Sequence, residues 1–273
     1  MIALIDYDSL IYKSAYKVVS IQDIKQKISE GKKRDELEKW IMDECINRLC
    51  NIGDGLMTEI ESNDFFIENG LNISFCEYFI TPRTSLRKVK FSDYKANRDK
   101  KINPMLKWVN KVRKYLLDSN FAITQYGFEA DDLIADRAKE LGQNECIIIS
   151  LDKDLKQIPG VHFNFYRKPS NELDQYGQRI KNPYTGLSIV SDKQAEYNFW
   201  YQMLVGDVVD NVKGCKGIGP KKAEKILLES ENYEQSVKDV YKLTYQDLWL
   251  SEFEKNHFFL YLGTKRKYET IEL

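Results

Sequence analysis

Two short apolar runs in this 273-residue chain each lead into an aspartate. Met1–Ile5 precedes Asp6, and Ile147–Leu151 precedes Asp152. Short apolar runs of this kind are typical of buried parallel strands, and stretches with a helical pattern lie between them. Strands that alternate with helices predict an α/β fold with a mainly parallel central sheet flanked by helices. Ligands of such sheets bind at the carboxyl ends of the strands, where both aspartates would lie.

Hydrophobic periodicity predicts the other elements of the chain. Before residue 190, it indicates helices over Ile21–Ile28, Leu37–Leu49, Pro104–Leu117 and Ala130–Leu141, strands over Asn72–Ile80 and Glu145–Ser150, and a strand or extended segment over Phe121–Tyr126. His162–Ile189 is polar and rich in turn residues, which predicts a hairpin or an irregular excursion. Helices follow over Asp192–Leu204 and Lys221–Leu228. We expect an α/β core over residues 1–190 and a helical region over 191–273, together forming one compact unit.

Bulk composition sets limits on partners and compartment. The net charge is −1, from 41 basic and 42 acidic residues, so a nucleic-acid partner would have to meet a local basic surface. Five cysteines without CxxC spacing and two histidines argue against a zinc site or a disulfide framework. Asp6 and Asp8 interrupt the apolar start, and no later apolar run approaches a membrane span. We expect a soluble protein without a membrane partner, located in the cytoplasm.

Acidic residues recur in three short segments that are far apart in the chain. They are Glu129, Asp131 and Asp132, then Asp152 and Asp154, and then Asp207. Taken singly, acids at a helix start serve as caps, and an Asp-x-Asp segment is as often a turn as a ligand pair. Clustered together, these carboxylates would repel one another unless cations compensated. An all-carboxylate pocket suits Mg²⁺ or Mn²⁺ better than zinc.

A glycine-rich segment, Gly214–Ala223, has the pattern of a helix-hairpin-helix turn. Gly217 and Gly219 would let backbone N–H groups approach a phosphate, and Pro220 would begin the second helix. Such a hairpin binds the DNA backbone without reading bases. A plain turn between two helices is the alternative. Flanking lysines favour the phosphate-binding interpretation; they are Lys216, Lys221 and Lys222.

A basic and aromatic cluster occupies residues 91–101. Tyr94, Lys95 and Arg98 have helical spacing, which predicts an aromatic stacking surface beside two cations that could hold a phosphodiester and a terminal base. A solvated charged loop would have the same composition. Further candidates for contact with a nucleic-acid backbone are Arg87, Lys100 and Lys101.

Taken together, these motifs resemble a known family. Tyr94-Lys-Ala-Asn-Arg98, Glu129-Ala-Asp-Asp132, Asp152-Lys-Asp-Leu155 and Gly206–Asn211 followed by Gly217-Ile-Gly219 occur in the order and approximate spacing of the 5′-nuclease superfamily. That family includes flap endonucleases and the 5′-exonuclease domains of bacterial DNA polymerase I, and this chain is most similar to free-standing phage 5′→3′ exonucleases with RNase H activity. The resemblance covers Asp6 to about Leu228. It implies a PIN-like 5′-nuclease fold, with a helical arch in the nuclease core and a C-terminal helix-hairpin-helix region.

The resemblance also implies a role for each matching residue. The first of two metal sites would use Asp6, Glu129 and Asp131, and the second would use Asp131, Asp152, Asp154 and Asp207. Outer or water-mediated ligands would be Asp132 and Asp210. The groups at the scissile phosphate would be Lys95, Arg98 and Tyr94. The duplex-binding hairpin would hold a K⁺ ion and would comprise Gly217, Gly219 and the lysines that follow.

One ligand usual in the family is missing. An aspartate normally ends the second strand, but Ser74–Arg83 contains none, and Glu77 comes several residues early. Either water replaces this ligand, as Mg²⁺ tolerates, or Glu77 substitutes from a shifted strand.

The resulting expectation is a divalent-metal-dependent 5′→3′ exonuclease or flap endonuclease. It would act on DNA with 5′ ends, flaps or nicks, or on an RNA–DNA hybrid, through two Mg²⁺ or Mn²⁺ ions, in replication and primer removal. Replication proteins would be candidate partners, and the host cytoplasm would be its location if a phage encodes it. Two rivals remain open: a DNA-structure-binding protein with a decayed site, and a PIN-like RNA nuclease. The hairpin favours duplex DNA.

Overall fold

The computed structural model describes residues 1–16, 18–97, 106–165 and 186–265. A five-stranded sheet with the order β2-β1-β3-β4-β5 lies at the centre of the described chain. Strands β2, β1, β3 and β4 are parallel, and β5 is antiparallel to β4. The predicted α/β fold with a mainly parallel sheet is therefore confirmed. The strands are β1 Ile2–Asp6, β2 Phe75–Phe79, β3 Cys146–Ile149, β4 Gly160–Asn164 and β5 Gly186–Val190.

Strand register brings the carboxyl ends of the central strands to one edge. Asp6, the last residue of β1, pairs with Phe79 of β2, and Ile5 pairs with Ile149 of β3. The residue after β3, Ser150, therefore lies beside Asp6. Because β1 and β3 are buried on both faces, they are apolar up to this edge and polar only where they end.

Eleven helices are described. They are α1 Tyr7–Ala15, α2 Ile21–Ser29, α3 Arg34–Glu61, α4 Asp64–Glu68, α5 Leu86–Lys90, α6 Leu106–Asp118, α7 Ala130–Leu141, α8 Asp192–Val205, α9 Pro220–Leu228, α10 Tyr233–Tyr245 and α11 Trp249–Leu260. Two 3₁₀ turns, Asp154–Gln157 and Gln246–Leu248, and a short ribbon, β6 Gly206–Asp207 with β7 Val212–Lys213, complete the described elements. In these ranges, every helix is too short or too polar to cross a bilayer.

Most predicted elements are found with small changes at their ends, and α7 has the predicted bounds. Of the two predictions for Phe121–Tyr126, a strand or an extended segment, the strand is not found: Ile123 makes one isolated parallel bridge to Phe79, and the segment otherwise runs as loop. The ends of the predicted excursion, His162–Ile189, belong to the β4–β5 pair. Its middle, residues 166–185, lies outside the described residues.

Three apolar clusters hold the elements together. Side chains of α1, α3 and α6, among them Leu10, Leu49 and Val112, pack on one face of the sheet. Helix α7 packs on the other face. The C-terminal helices form the third cluster, which also takes in Tyr94. Leu262, in turn, packs against the cluster around α7, so contacts run both ways between the two predicted regions. The division at residue 190 stays a prediction.

Candidate functional site

A cleft of about 480 Å³ opens at the carboxyl edge of the sheet. The charged residues of its lining come from five separate segments. Its charged lining comprises Arg87, Lys95, Glu129, Asp131, Asp152, Lys153, Asp154, Asp207 and Asp210. The structure thus brings five of the six acidic residues singled out from the sequence to one place, together with Lys95 and Asp210.

Asp6 lies at this edge of the sheet, held by two hydroxyl groups. Ser150 Oγ donates to Asp6 Oδ2 at 2.8 Å, and Ser9 Oγ donates to the same oxygen at 3.1 Å. Ser150 Oγ also accepts a hydrogen bond from the Asp152 N–H at 2.9 Å. One serine therefore connects the end of β1 to the loop after β3, which carries the next two carboxylates.

The loop after β3 folds on itself and is fastened to α8. The Asp154 N–H donates to Asp152 Oδ1 at 2.8 Å, so this Asp-x-Asp segment is also a turn. Asp207, just past α8, accepts hydrogen bonds at Oδ1 from the N–H groups of Val209 (2.7 Å) and Asp210 (3.2 Å). The amide of Gln202 lies between Asp154 and Asp207.

Glu129 is already paired with cations in this structure. Lys95 Nζ lies 2.9 Å from Glu129 Oε2 and 3.4 Å from Asp210 Oδ2. The hydroxyl of Tyr94 lies 3.0 Å from Asp210 Oδ2 and 3.2 Å from Glu129 Oε2. Lys95 therefore neutralises, in this structure, the carboxylate that the resemblance assigns to the first metal.

The predicted aromatic stacking surface at Tyr94 is wrong. The ring is buried and stacks on Phe259, with centroids 5.1 Å apart. Residues 92–97 form turns rather than a helix, and Lys95 has a left-handed backbone (φ 55°) whose N–H donates to the Asp210 carbonyl oxygen at 2.9 Å. Tyr94 thus presents only its hydroxyl to the acidic groups. Arg98, Lys100 and Lys101 lie outside the described residues.

Two further assignments are corrected by a buried ion pair. Arg87, predicted to contact a nucleic-acid backbone, has a side chain that is 2% exposed, and Asp132, predicted as an outer metal ligand, has one that is fully buried. The Arg87 guanidinium donates to both oxygens of Asp132, at 2.7 and 2.9 Å. Asp132 also accepts the N–H groups of Glu129 and Gly263. Its carboxylate caps α7 and secures the C-terminal segment, and Asp132 is not among the residues that line the cleft.

Glu77 does not replace the aspartate that is missing at the end of the second strand. Arg137 binds both oxygens of Glu77, with a shortest distance of 2.7 Å, two residues before β2 ends. Thr81 lies two residues past the end of this strand. Its hydroxyl accepts a hydrogen bond from the Ala130 N–H at 3.1 Å, and its own N–H donates to Asp8 at 3.0 Å. Of the two explanations for the missing ligand, substitution by Glu77 is therefore excluded.

The carboxylates repel one another strongly. Burial first, and then Asp8, raises the pKa of Asp6 to about 6, and burial, Asp152 and Asp207 raise the pKa of Asp154 to about 7. The pKa of Asp131 is also raised, by loss of hydration and then by Asp152 and Asp6. Glu129 shows the reverse: burial raises its pKa, but Arg87 and Lys95 outweigh burial and lower it to about 2. The carboxylates of Asp6, Asp131 and Asp154 therefore lie in an excess of negative charge, which together with burial raises their pKa values.

We expect Asp154→Asn to stabilise the metal-free protein, increasingly so as the pH rises from about 4 to 7. The folded state keeps a proton on Asp154 that the unfolded chain releases near its ordinary pKa of 3.8, so wild type loses stability across this window. Asparagine removes this loss. The check is the melting temperature of both proteins in EDTA at pH 4.5, 6 and 7.5. An advantage of the variant that shrinks with rising pH would contradict the assignment.

The turn has the predicted glycine and proline positions, although the short strand β7 rather than a helix directly precedes it. Gly217 has φ 80°, Gly219 precedes α9 as its N-cap, and Pro220 is the first residue of that helix. Ala223 is buried in the C-terminal cluster and Ile218 packs against it. Three exposed lysines surround the turn, Lys216, Lys221 and Lys222, and Lys222 Nζ donates to the Gly217 carbonyl oxygen at 3.0 Å.

The carboxylates do not converge on a point. In the part of the chain that the structure describes, no three Asp, Glu, His or Cys side chains are arranged to hold a metal ion. Glu129 instead accepts a hydrogen bond from Lys95, and Asp154 and Asp207 each accept one from Gln202. The donor set is nevertheless all oxygen, crowded and only partly neutralised, which is the chemistry that hard divalent cations select.

Comparisons with known proteins agree with this architecture. Residues 73–184 match a family model described as "5'-3' exonuclease, N-terminal resolvase-like domain". The chain is 34% identical over 155 residues to a 5'-3' exonuclease of Mycoplasma pneumoniae, covering 55% of this chain and 51% of that protein. It is 32% identical over 148 residues to DNA polymerase I of Borreliella burgdorferi, covering 53% of this chain and 16% of the polymerase. The chain thus spans about half the length of the first relative and far less of the second.

Solved structures share the fold. The T5 D15 protein, co-crystallised with metal ions, superposes with a TM-score of 0.54 at 16% identity, covering 95% of this chain and 88% of that one. T5 5'-exonuclease with bound zinc gives a TM-score of 0.50 at 16% identity, covering 93% and 83% of the two chains. At this identity the likeness concerns the fold alone. The family model and the relatives confirm the resemblance to the 5′-nuclease superfamily, and the solved structures show the same fold.

Sequence reasoning missed several residues that shape the cleft. Ser150 and Thr81 gave no motif, because single hydroxyl side chains are common after strands. Gln202 did leave a signal: it is a buried polar residue in an otherwise apolar stretch of α8, next to Met203 and Leu204.

Proposed function

We propose that this protein is a divalent-metal-dependent 5′→3′ exonuclease and structure-specific flap endonuclease. Its substrates would be phosphodiesters of duplex DNA or of an RNA–DNA hybrid, as in primer removal during replication in the cytoplasm. The observation that carries the proposal is that α8, Asp207 and the hairpin follow one another directly in the chain. A single stretch of chain, residues 192–228, leads from the acidic cleft to the glycine-containing turn for which phosphate binding is proposed.

Two cations, Mg²⁺ or Mn²⁺, would be held by carboxylates already gathered in or beside the cleft. Asp6, Glu129 and Asp131 would hold the first, and Asp131, Asp152, Asp154 and Asp207 the second, with Asp210 in contact through water. Such a pair of ions, when bound, activates a water molecule and stabilises the leaving oxygen. Water would complete the first site where the family's further aspartate is absent.

Lys95 would have two partners in turn. It neutralises Glu129 in this structure, at 2.9 Å. A cation at Glu129 would compete with Lys95 for this carboxylate and leave the ammonium group for the scissile phosphate, where it would offset developing charge. Arg98 would add a second positive group. The Tyr94 hydroxyl would continue to position Asp210 and Glu129.

The hairpin would bind the duplex through its backbone. Gly217 and Gly219 would bring N–H groups close to a phosphate, a K⁺ ion would sit at the same turn, and the exposed lysines would add charge. Because hairpin contacts go to phosphates, binding would not depend on base sequence.

The deciding experiment is cleavage of flap, nicked and hybrid duplexes labelled at either the 5′ or the 3′ end. We expect short 5′-labelled products in Mg²⁺ and none in EDTA, with product lengths that give polarity and structure preference. Binding of branched DNA without any release of nucleotides, in Mg²⁺ and in Mn²⁺, would overturn the nuclease assignment. Preference for RNA flaps over matched DNA flaps would overturn the choice of DNA.

We expect the double substitution Lys216→Ala and Lys221→Ala to weaken duplex binding and to flatten its salt dependence. Each lost phosphate contact lowers the slope of log K against log salt by about one. The measurement is fluorescence anisotropy of a labelled flap duplex over a range of KCl concentrations in Ca²⁺. Lys225→Ala, further along α9 and near Glu229, is the matched control. An unchanged slope in the double variant would show that the duplex binds elsewhere.

A further inference from the structure

Gln202 is an uncharged side chain placed between two carboxylates. Its Nε2 lies 2.9 Å from Asp154 Oδ1 and 3.3 Å from Asp207 Oδ2. The residue is 7% exposed. A primary amide has two N–H donors, so this arrangement uses one for each carboxylate. Gln202 thereby bridges groups from two segments that are far apart in sequence.

A second glutamine fixes the orientation of this amide. Gln157 Nε2 donates to Gln202 Oε1 at 2.6 Å. With its oxygen engaged by Gln157, Gln202 turns its N–H groups toward the two aspartates. Gln157 itself belongs to the 3₁₀ turn that begins at Asp154, so the bridge is anchored on the element whose carboxylate it holds.

The neutrality of Gln202 matters as much as its position. A lysine here would hold both carboxylates but would cancel one of their charges. The amide holds them without cancelling either, and leaves the negative charge for a cation. The ammonium of Lys153 is 3.5 Å from Asp207 Oδ2, but its side chain is 72% exposed, so water screens it.

Helix α8 is fastened to the 3₁₀ turn at a second point. Asn198, one turn before Gln202, donates from Nδ2 to the Lys156 carbonyl oxygen at 2.8 Å. This bond connects the same two elements without touching a carboxylate. Asn198 therefore offers a control that separates the packing of α8 from the bridging of Asp154 and Asp207.

We propose that Gln202 is a positioning residue that sets the spacing of Asp154 and Asp207 for one divalent cation. It acts through these carboxylates, as groups next to metal ligands commonly do, and the proposal rests on the metal-dependent function proposed above. Because Gln202 belongs to α8, it also ties the geometry of the cation site to the helix that leads into the hairpin.

The test measures Mn²⁺ binding by isothermal titration calorimetry in the absence of nucleic acid. We expect Gln202→Met, which keeps the length but removes both donors, to weaken binding at one site about 10-fold to 100-fold, the usual effect of losing such a partner. Asn198→Ala should bind Mn²⁺ like wild type. Unchanged Mn²⁺ binding by a folded Gln202→Met variant would overturn the proposal.

A charged replacement separates positioning from packing. Gln202→Lys should raise the melting temperature in EDTA, because its ammonium relieves the repulsion between the aspartates, yet weaken Mn²⁺ binding, because it competes with the cation. A residue that served only to pack α8 would change stability and binding in the same direction. Both quantities falling together in Gln202→Lys would count against the proposal.

These readouts are independent of cleavage. Wild-type protein that binds Mn²⁺ but cuts no flap would overturn the nuclease function and leave the role of Gln202 standing. An active nuclease whose Gln202→Met variant binds Mn²⁺ normally would overturn the role of Gln202 alone. Wild-type protein that binds no Mn²⁺ at millimolar concentrations would overturn both.

Discussion

Asp131→Asn is expected to abolish hydrolysis, by about a thousandfold or more, while leaving duplex binding largely intact. Asp131 stands in the first turn of α7 and lines the cleft, and the charges that act on it most are those of Asp152 and Asp6. It is the one carboxylate assigned to both cations. Asparagine keeps its shape but lacks the charge that would hold them, and loss of one such electrostatic group commonly costs a factor of 10² to 10³ or more.

Duplex binding should survive because it depends on other groups. The exposed lysines and the hairpin lie on a different element, and removing one negative charge from the cleft reduces repulsion of phosphates. The measurements are single-turnover cleavage of a flap duplex in Mg²⁺ and anisotropy of the same duplex in Ca²⁺. Asp118→Asn, on the exposed side of α6, is the matched control. Full cleavage by Asp131→Asn would overturn the metal assignment.

Arg87→Met is expected to lower the free energy of unfolding by about 3–5 kcal/mol. Removing one partner of a buried ion pair leaves the other charged and without compensation. Here the remaining group is Asp132, fully buried, which would keep the N–H donors of Glu129 and Gly263 but lose the guanidinium charge. Arg87 also lies 3.3 Å from Glu129 Oε2 and donates to the Tyr261 carbonyl oxygen at 2.9 Å, so both contacts would be lost with it.

A double-mutant cycle tests the pair itself. Arg87→Met combined with Asp132→Asn should recover part of the lost stability, because position 132 no longer carries a buried charge, while the one amide oxygen of asparagine can still accept one of the two N–H groups. Urea unfolding with an unchanged slope gives the free energies. Lys114→Met, which breaks the exposed pair with Asp118, should change stability by less than about 0.5 kcal/mol. A loss below about 1 kcal/mol for Arg87→Met would contradict this account.

The acidic cleft could be predicted because its signals are local. Asp6 and Asp152 follow apolar strands, and parallel strands necessarily bring their carboxyl ends to one edge. The bounds of α7 followed from periodicity together with the acids at its start. The hairpin followed from glycines and a proline at positions that require them.

The errors share a different cause. Arg87 and Tyr94 lie in basic stretches of sequence that are typical of a protein surface. The residues that bury them, Asp132 and Phe259, are distant in sequence. No local pattern announces such a partner. Asp132 was misassigned for the same reason: its neighbours in sequence are the cleft residues, but its carboxylate turns toward Arg87. Charge type alone could not say which acids face the cleft and which face the interior.

The contact between Arg87 and Tyr261 joins groups 174 residues apart in the chain. Contacts of such long range form late in folding, because a long loop must close before they contribute. Arg87 and Gly263 both hold Asp132, which caps the helix that presents Asp131 to the cleft. The start of that helix is thus completed only when the last described turn of the polypeptide docks. We therefore expect a newly made chain to acquire its acidic pocket at the end of folding rather than with the sheet.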